Sequence, residues 1–208
     1  MDYIRDPAAI YRESFAIIER EADLGRFGPV ESAVAIRMIH ACGMTDLAAD
    51  IVISDGAVDA GRSALDAGAA IVCDVEMVRR GIIRKRLPHD NDVLCEVAGA
   101  PARAQATSLG TTLSAGGIET LRVRLAGGVV VIGNAPTALF HLLEMLERGA
   151  APPALVIGCP VGFVGAAESK EALIAHRPEV PFITVRGRRG GSAIAAAALN
   201  ALAGGSER

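Results

Sequence analysis

Two ionisable side chains with different chemistry lie three residues apart in "RMIHACG", residues 37–43. His40 is of the one type whose charge ordinarily changes near neutral pH, so it can hand over a proton and take it back. Arg37 stays charged and grips carboxylates through two parallel N–H···O bonds. On a helix the two differ by about 60° around the axis and share a face. Ala33 falls between them and Ile36 beside them, so the face is part apolar and part cationic, with room left by a small residue. That suits a flat, largely apolar ligand edged with carboxylates. The competing reading is a histidine packed inside a core, the commoner fate of a lone His on an apolar face. Arg37 weighs against it, because a guanidinium so near must find an anion or water. Spacing alone leaves the two readings level.

Other stretches invite chemistry less strongly. "GCPVGFVGAAESK" (158–170) follows an apolar run and opens a helix, where backbone N–H groups favour an anion. Its glycine spacing matches neither GxGxxG nor GxxxxGK[ST], and the next apolar run ends without a ribose-binding acid. Tight turns and close packing explain these glycines better than a dinucleotide does. "RGRRGGS" gathers Arg186, Arg188 and Arg189 just before the last helical stretch. A solvated basic loop and an anion-binding loop are equally good readings of it. "RRGIIRKR" (79–86) reads as a solvated patch. Ser14, inside "RESFAII", is a mildly unfavourable mid-helix serine with no role that its own neighbours supply.

The elements that must position these residues are legible. Asp6 and Pro7 open a first helix, Pro29 opens a second, and Gly43 stops the second just past His40. Apolar, β-branched runs follow at 50–54, 69–74, 92–97, 128–133, 154–158 and 181–187. Helical patterns separate most of them, at 56–68, 116–126, 135–149, 166–176 and 191–204. Strands apolar throughout, with helices between, call for a mostly parallel sheet buried on both faces. The expected fold is α/β, three-layered and doubly wound, with residues 1–208 as one domain. Such sheets bind ligands beyond the carboxyl ends of their strands, which here carry Asp74, Asn134, "GCPVG" and "RGRRGGS". Strand order does not follow from the pattern.

Composition narrows the function classes. Net charge is -3 and aromatics are 3% with no Trp, which argues against a nucleic-acid binder that needs stacking platforms and a basic field. No apolar run approaches the length of a membrane span, and "MDYIRDPAAIYRES" lacks an apolar signal core. Cys42, Cys73, Cys95 and Cys159 form no CxxC pair, and His40, His89, His141 and His176 are as scattered, so no metal is assigned. A soluble cytoplasmic protein is the economical reading.

Five blocks, "DPAAIYRESFAIIERE", "AIRMIHACGMTDL", "GNAPTALFHLLE", "GCPVGFVGAAESKEAL" and "GRRGGSAIAAAALNAL", together resemble the precorrin-8X methylmutases of corrin-ring biosynthesis. The resemblance runs in order from the first helix to the last. It implies a single α/β domain that shifts a methyl group from C-11 to C-12 on ring C of a tetrapyrrole, giving hydrogenobyrinate. It also implies a homodimer with no cofactor and no metal of its own. His40 is the implied proton carrier, and Ser14 and Arg37 the implied substrate contacts. A non-catalytic tetrapyrrole carrier and a nucleotide-dependent enzyme using 158–170 are the rival readings.

Overall fold

A strand with apolar side chains at every position must be covered on both faces, and "VVVI" and "LVIG" are of that kind. The structure, a computed structural model, describes residues 3–176 and 180–204. Its strands are β1 (Ile51–Ile53), β2 (Ile71–Cys73), β3 (Val93–Leu94), β4 (Val129–Ile132), β5 (Leu155–Gly158) and β6 (Phe182–Val185). They form one sheet in the order β1-β6-β5-β4-β2-β3, parallel except for β1, which runs antiparallel to β6 with Ile51 opposite Val185.

The helices are α1 (Pro7–Glu21), α2 (Pro29–His40), α3 (Ala57–Asp66), α4 (Glu76–Gly81), α5 (Ala100–Leu109), α6 (Leu113–Thr120), α7 (Arg122–Leu125), α8 (Pro136–Glu147), α9 (Ala166–His176) and α10 (Ser192–Ala203). Alternate strand residues feed two cores. Val129 and Val131 join residues of α2, α3, α4 and α10, whereas Val130 and Ile132 join residues of α6, α8 and α9. The three-layer architecture expected from the sequence is therefore present.

All six apolar runs are strands, each trimmed at its ends. Three features depart from the sequence pattern. The single helix expected at 116–126 is two, because the N–H of Leu121 bonds both the Gly117 and Ile118 carbonyls and tightens the turn. The patch at 79–86 divides between the end of α4 and a 3-10 turn at Arg84–Arg86. Helix α5 gave no signal: it buries only Ala102 and Ala106, too narrow a stripe to read.

Two termini set the functional flank. Asp6 accepts from the N–H groups of Ala8 (3.2 Å) and Ala9 (3.1 Å), fixing the start of α1. At the end of α2, Gly43 turns back with φ 70°, and its N–H reaches the Ile39 carbonyl at 2.8 Å. His40 is thus the last helical residue rather than an interior one.

An anion of the chain itself stands at the usual ligand position. Connections leave β2 toward β3 and β4 toward β5, so the topological switch lies between β2 and β4. Asp74, 1% exposed, sits there and accepts from the N–H groups of Gly133 (3.1 Å), Asn134 (2.9 Å) and Ala135 (2.8 Å). These donors begin the turn into α8 and would otherwise be open to a ligand anion. Burial pushes the Asp74 carboxyl up from its ordinary value, and the three N–H donors draw it part of the way back. Asp74→Ala leaves the buried donors of Gly133 and Ala135, and the part-buried donor of Asn134, without their acceptor. The expected outcome is a loss of about 2–4 kcal/mol of unfolding free energy, read as a lower urea midpoint at unchanged slope.

Candidate functional site

Helix α1 presents Tyr11, Ser14 and Phe15 at i, i+3 and i+4, one face directed at the flank of α2. Ser14 Oγ lies 2.9 Å from His40 Nδ1. The Tyr11 and Phe15 rings stack tilted, centroids 4.3 Å apart, and the His40 ring meets both edge-on at 5.5 and 5.3 Å. The Arg37 guanidinium lies over the same two rings, 5.7 and 5.6 Å from their centroids, and donates to the Tyr11 hydroxyl.

This geometry decides what spacing could not. His40 is exposed at the helix end and is not a core histidine. Its Nδ1 is held by Ser14, while Nε2 has no protein partner among the described residues. A hydroxyl both donates and accepts, so Ser14 serves the imidazole in either protonation state, the tautomer deciding which group donates. The structure therefore brings Ser14, Arg37 and His40 together, with Ser14 against the ring of His40. The signal for Ser14 lay in the three-and-four spacing of Tyr11, Ser14 and Phe15, which marks one helical face.

A groove of about 660 Å³ runs along this flank, lined among others by Tyr11, Phe15, Ala33, Ile36, Arg37 and Arg62. The helix face read from Ala33, Ile36 and Arg37 is its wall. His40 is not among its lining residues, although its ring meets Tyr11 and Phe15, which are. The groove and the histidine share those rings and Arg37 as a common boundary. Tyr11, Phe15 and Arg62 were not singled out in the sequence.

The loop arginines are mostly committed to the protein itself. Arg186 pairs with Glu171, and Arg189 with Asp46 at 2.7 Å and with Asp50. Arg188 lies over the exposed Phe163 ring at 5.2 Å. Lys170, 0% exposed, donates from Nζ to the Arg189 carbonyl at 2.6 Å. A Cβ at Gly190 would come within 2.3 Å of the Cys159 carbonyl oxygen, so the glycines let two loops touch. The two motifs "GCPVG" and "RGRRGGS" are thus partners in one packed latch. Among the described residues no cluster of three or more His, Cys, Asp or Glu is placed to hold a metal ion.

Comparison with known proteins gives one consistent result. The Precorrin-8X methylmutase family profile matches residues 9–204. The chain is 59% identical over 203 residues to a precorrin-8X methylmutase of Pseudomonas aeruginosa, covering 98% of each chain. It is 55% identical over 202 residues to one from Sinorhizobium sp, covering 97% of this chain and 96% of that one. A crystal structure of precorrin-8X methylmutase from Thermus thermophilus superposes with a TM-score of 0.85 at 41% identity, over 94% of both chains.

The Lys170 latch carries a pH signature. Burial lowers the Lys170 pKa below its ordinary 10.5. Between that lowered value and 10.5 the unfolded chain binds more protons than the folded one, so stability rises with pH. Lys170→Met removes this contribution. Urea unfolding of both proteins from about pH 7 to about pH 10 should show the wild type gaining on the variant as pH rises.

Proposed function

The chain belongs to the precorrin-8X methylmutase family, isomerases of cobalamin biosynthesis, and on that premise we propose that it converts precorrin-8X to hydrogenobyrinate by moving a methyl group from C-11 to C-12 of ring C. The observation that carries the mechanism is the His40 ring, held at Nδ1 by Ser14 and open at Nε2, beside an arginine with no carboxylate of its own.

The substrate is a conjugated macrocycle fringed with acetate and propionate groups. In the imidazolium form of His40, Nδ1–H donates to Ser14 Oγ and Nε2–H is free to be given away. Transfer of that proton to a ring nitrogen or carbon polarises the conjugated system, and the methyl group migrates to the neighbouring carbon. The neutral imidazole then takes a proton back at Nε2, so the enzyme ends as it began and the reaction is an isomerisation with no net proton or electron change. Such a step requires neither a redox cofactor nor a resident metal. Positioned proton transfer of this kind is typically worth about 10²–10⁴-fold in rate.

The remaining residues take supporting roles. Arg37 anchors a peripheral carboxylate, for which its guanidinium, bound only to a phenol and two ring faces, is available. Ser14 hydrogen-bonds a peripheral group of the substrate, as the resemblance implies, and its 2.9 Å contact supports a second role in orienting the His40 ring. The Tyr11 and Phe15 rings give the apolar surface that a flat ligand needs. A homodimer in the cytoplasm completes the reading. Free thiols at Cys42, Cys73, Cys95 and Cys159 suit a reducing compartment. The apolar tip of Phe163 (83% exposed) and Val164 (88% exposed) is surface for a second copy to cover.

Incubation with precorrin-8X, followed by absorption spectroscopy, tests the reaction. The wild type should convert the spectrum to that of hydrogenobyrinate, and His40→Ala should bind the macrocycle yet turn over about 10²–10⁴-fold more slowly. Binding without turnover by the wild type would instead identify a tetrapyrrole carrier. Ser14→Ala, which frees the ring to rotate and removes one substrate contact, should reduce kcat by about tenfold and raise KM as well.

A further inference from the structure

Beyond Arg37 the groove reaches α3, and there it meets a cation that the reaction as described leaves unused. Arg62 is partly buried, lines the groove, and makes no hydrogen bond, ion pair or ring contact among the described residues. Its position is set by close packing. A Cβ at the preceding Gly61 would lie 2.7 Å from Cδ methyls of both Leu155 and Leu202, so the glycine lets α3 lie close against α10 and β5 without displacing either leucine.

Two other partly buried arginines have their anions: Arg79 pairs with Glu76 at 2.7 Å and Arg189 with Asp46 and Asp50. A guanidinium without such a partner keeps its charge unmatched within the chain and free for an outside anion. Arg37 and Arg62 share that condition and face the same groove. Glu19 also lines it, yet among the described residues no ion pair joins it to either arginine. Ala33 and Ile36 supply apolar wall. Two unneutralised guanidiniums beside apolar wall complement one edge of a flat apolar ligand that carries two carboxylates.

Resting on the reading above, we infer that Arg62 is a second substrate-binding arginine, holding one peripheral carboxylate of the macrocycle while Arg37 holds another. The groove takes a carboxylate-bearing edge, and the ring passes over Tyr11 and Phe15 toward His40. Neither arginine reaches the reacting carbons, so Arg62 acts on affinity and orientation.

The test pairs kinetics on precorrin-8X with equilibrium binding of hydrogenobyrinate, at low and high salt, for wild type, Arg62→Ala and Arg62→Gln. Thermal melting serves as the folding control, and the glutamine variant keeps length and polarity should the alanine variant misfold. The expected result is a KM and a Kd raised roughly tenfold or more, a kcat within about twofold of wild type, and a flatter salt dependence of Kd. An unchanged Kd in folded variants overturns the role of Arg62, and wild-type turnover beside it leaves the functional reading intact. If the wild type binds hydrogenobyrinate but does not turn over precorrin-8X, the functional reading falls while the Kd ratio still judges Arg62. If the wild type does neither, both fall.

Discussion

One buried carboxylate ties together the two strands on which the sheet's direction of growth reverses. Asp74 lies at the carboxyl end of β2, yet its oxygens serve three amides that follow β4 and lead into α8. It joins the two strands that flank the switch point and sets the chain's own anion in that crevice. In doubly wound folds that crevice is the ordinary ligand position. The residues proposed for the reaction gather instead where α1 lies against α2, away from the sheet itself. The carboxylate also secures the start of α8, whose Ala138, Leu139 and Leu142 fill the second core. The start of one layer and the occupation of the switch point thus come from the same three hydrogen bonds.

That placement explains the character of the site. Helix ends and outer helix flanks are exposed, so a side chain there must be held by neighbours rather than by burial. The chain has only five Phe and two Tyr, and one of each lies under His40 and Arg37. The rings restrict the histidine on two edges and Ser14 restricts it at Nδ1, which leaves a single nitrogen to face outward. Pre-orientation of this kind is worth more for proton transfer than proximity alone, because the reacting atoms meet without a search over rotamers.

The sequence carried the framework because the framework obeys local rules. Six apolar runs became six strands, and Asp6 and Gly43 capped helices where cap chemistry requires. Arg37 and His40 share a face because 3.6-residue periodicity says so. Three things needed the third dimension. Helix α5 buries two alanines and leaves no apolar stripe to count. The antiparallel direction of β1 depends on which edge it joins. Arg62 reaches the groove where Gly61 lets α3 lie close against α10, a contact with Leu155 and Leu202 far along the chain. Ser14 is the intermediate case: its face could be read from Tyr11 and Phe15, but its partner, 26 residues on, could not.

Charge placement gives the last step. The protein carries a net charge of -3, an unpromising sum for holding a ligand fringed with carboxylates. Net charge therefore adds no attraction, and selectivity rests on which cations remain unneutralised near the ligand. The loop arginines illustrate the alternative: Arg186 and Arg189 sit at the carboxyl end of β6, but Glu171, Asp46 and Asp50 already satisfy them. A substrate carboxylate gains little from a guanidinium whose charge is already matched. Arg37 differs because an aromatic pair, not an acid, holds it in place, so its position is fixed while its charge is unspent. Cation–π contact, on the order of 0.5–2 kcal/mol, uses the face of the guanidinium and leaves N–H donors at its edge for an arriving carboxylate. The two rings thereby order the arginine and histidine together without taking the place of the substrate.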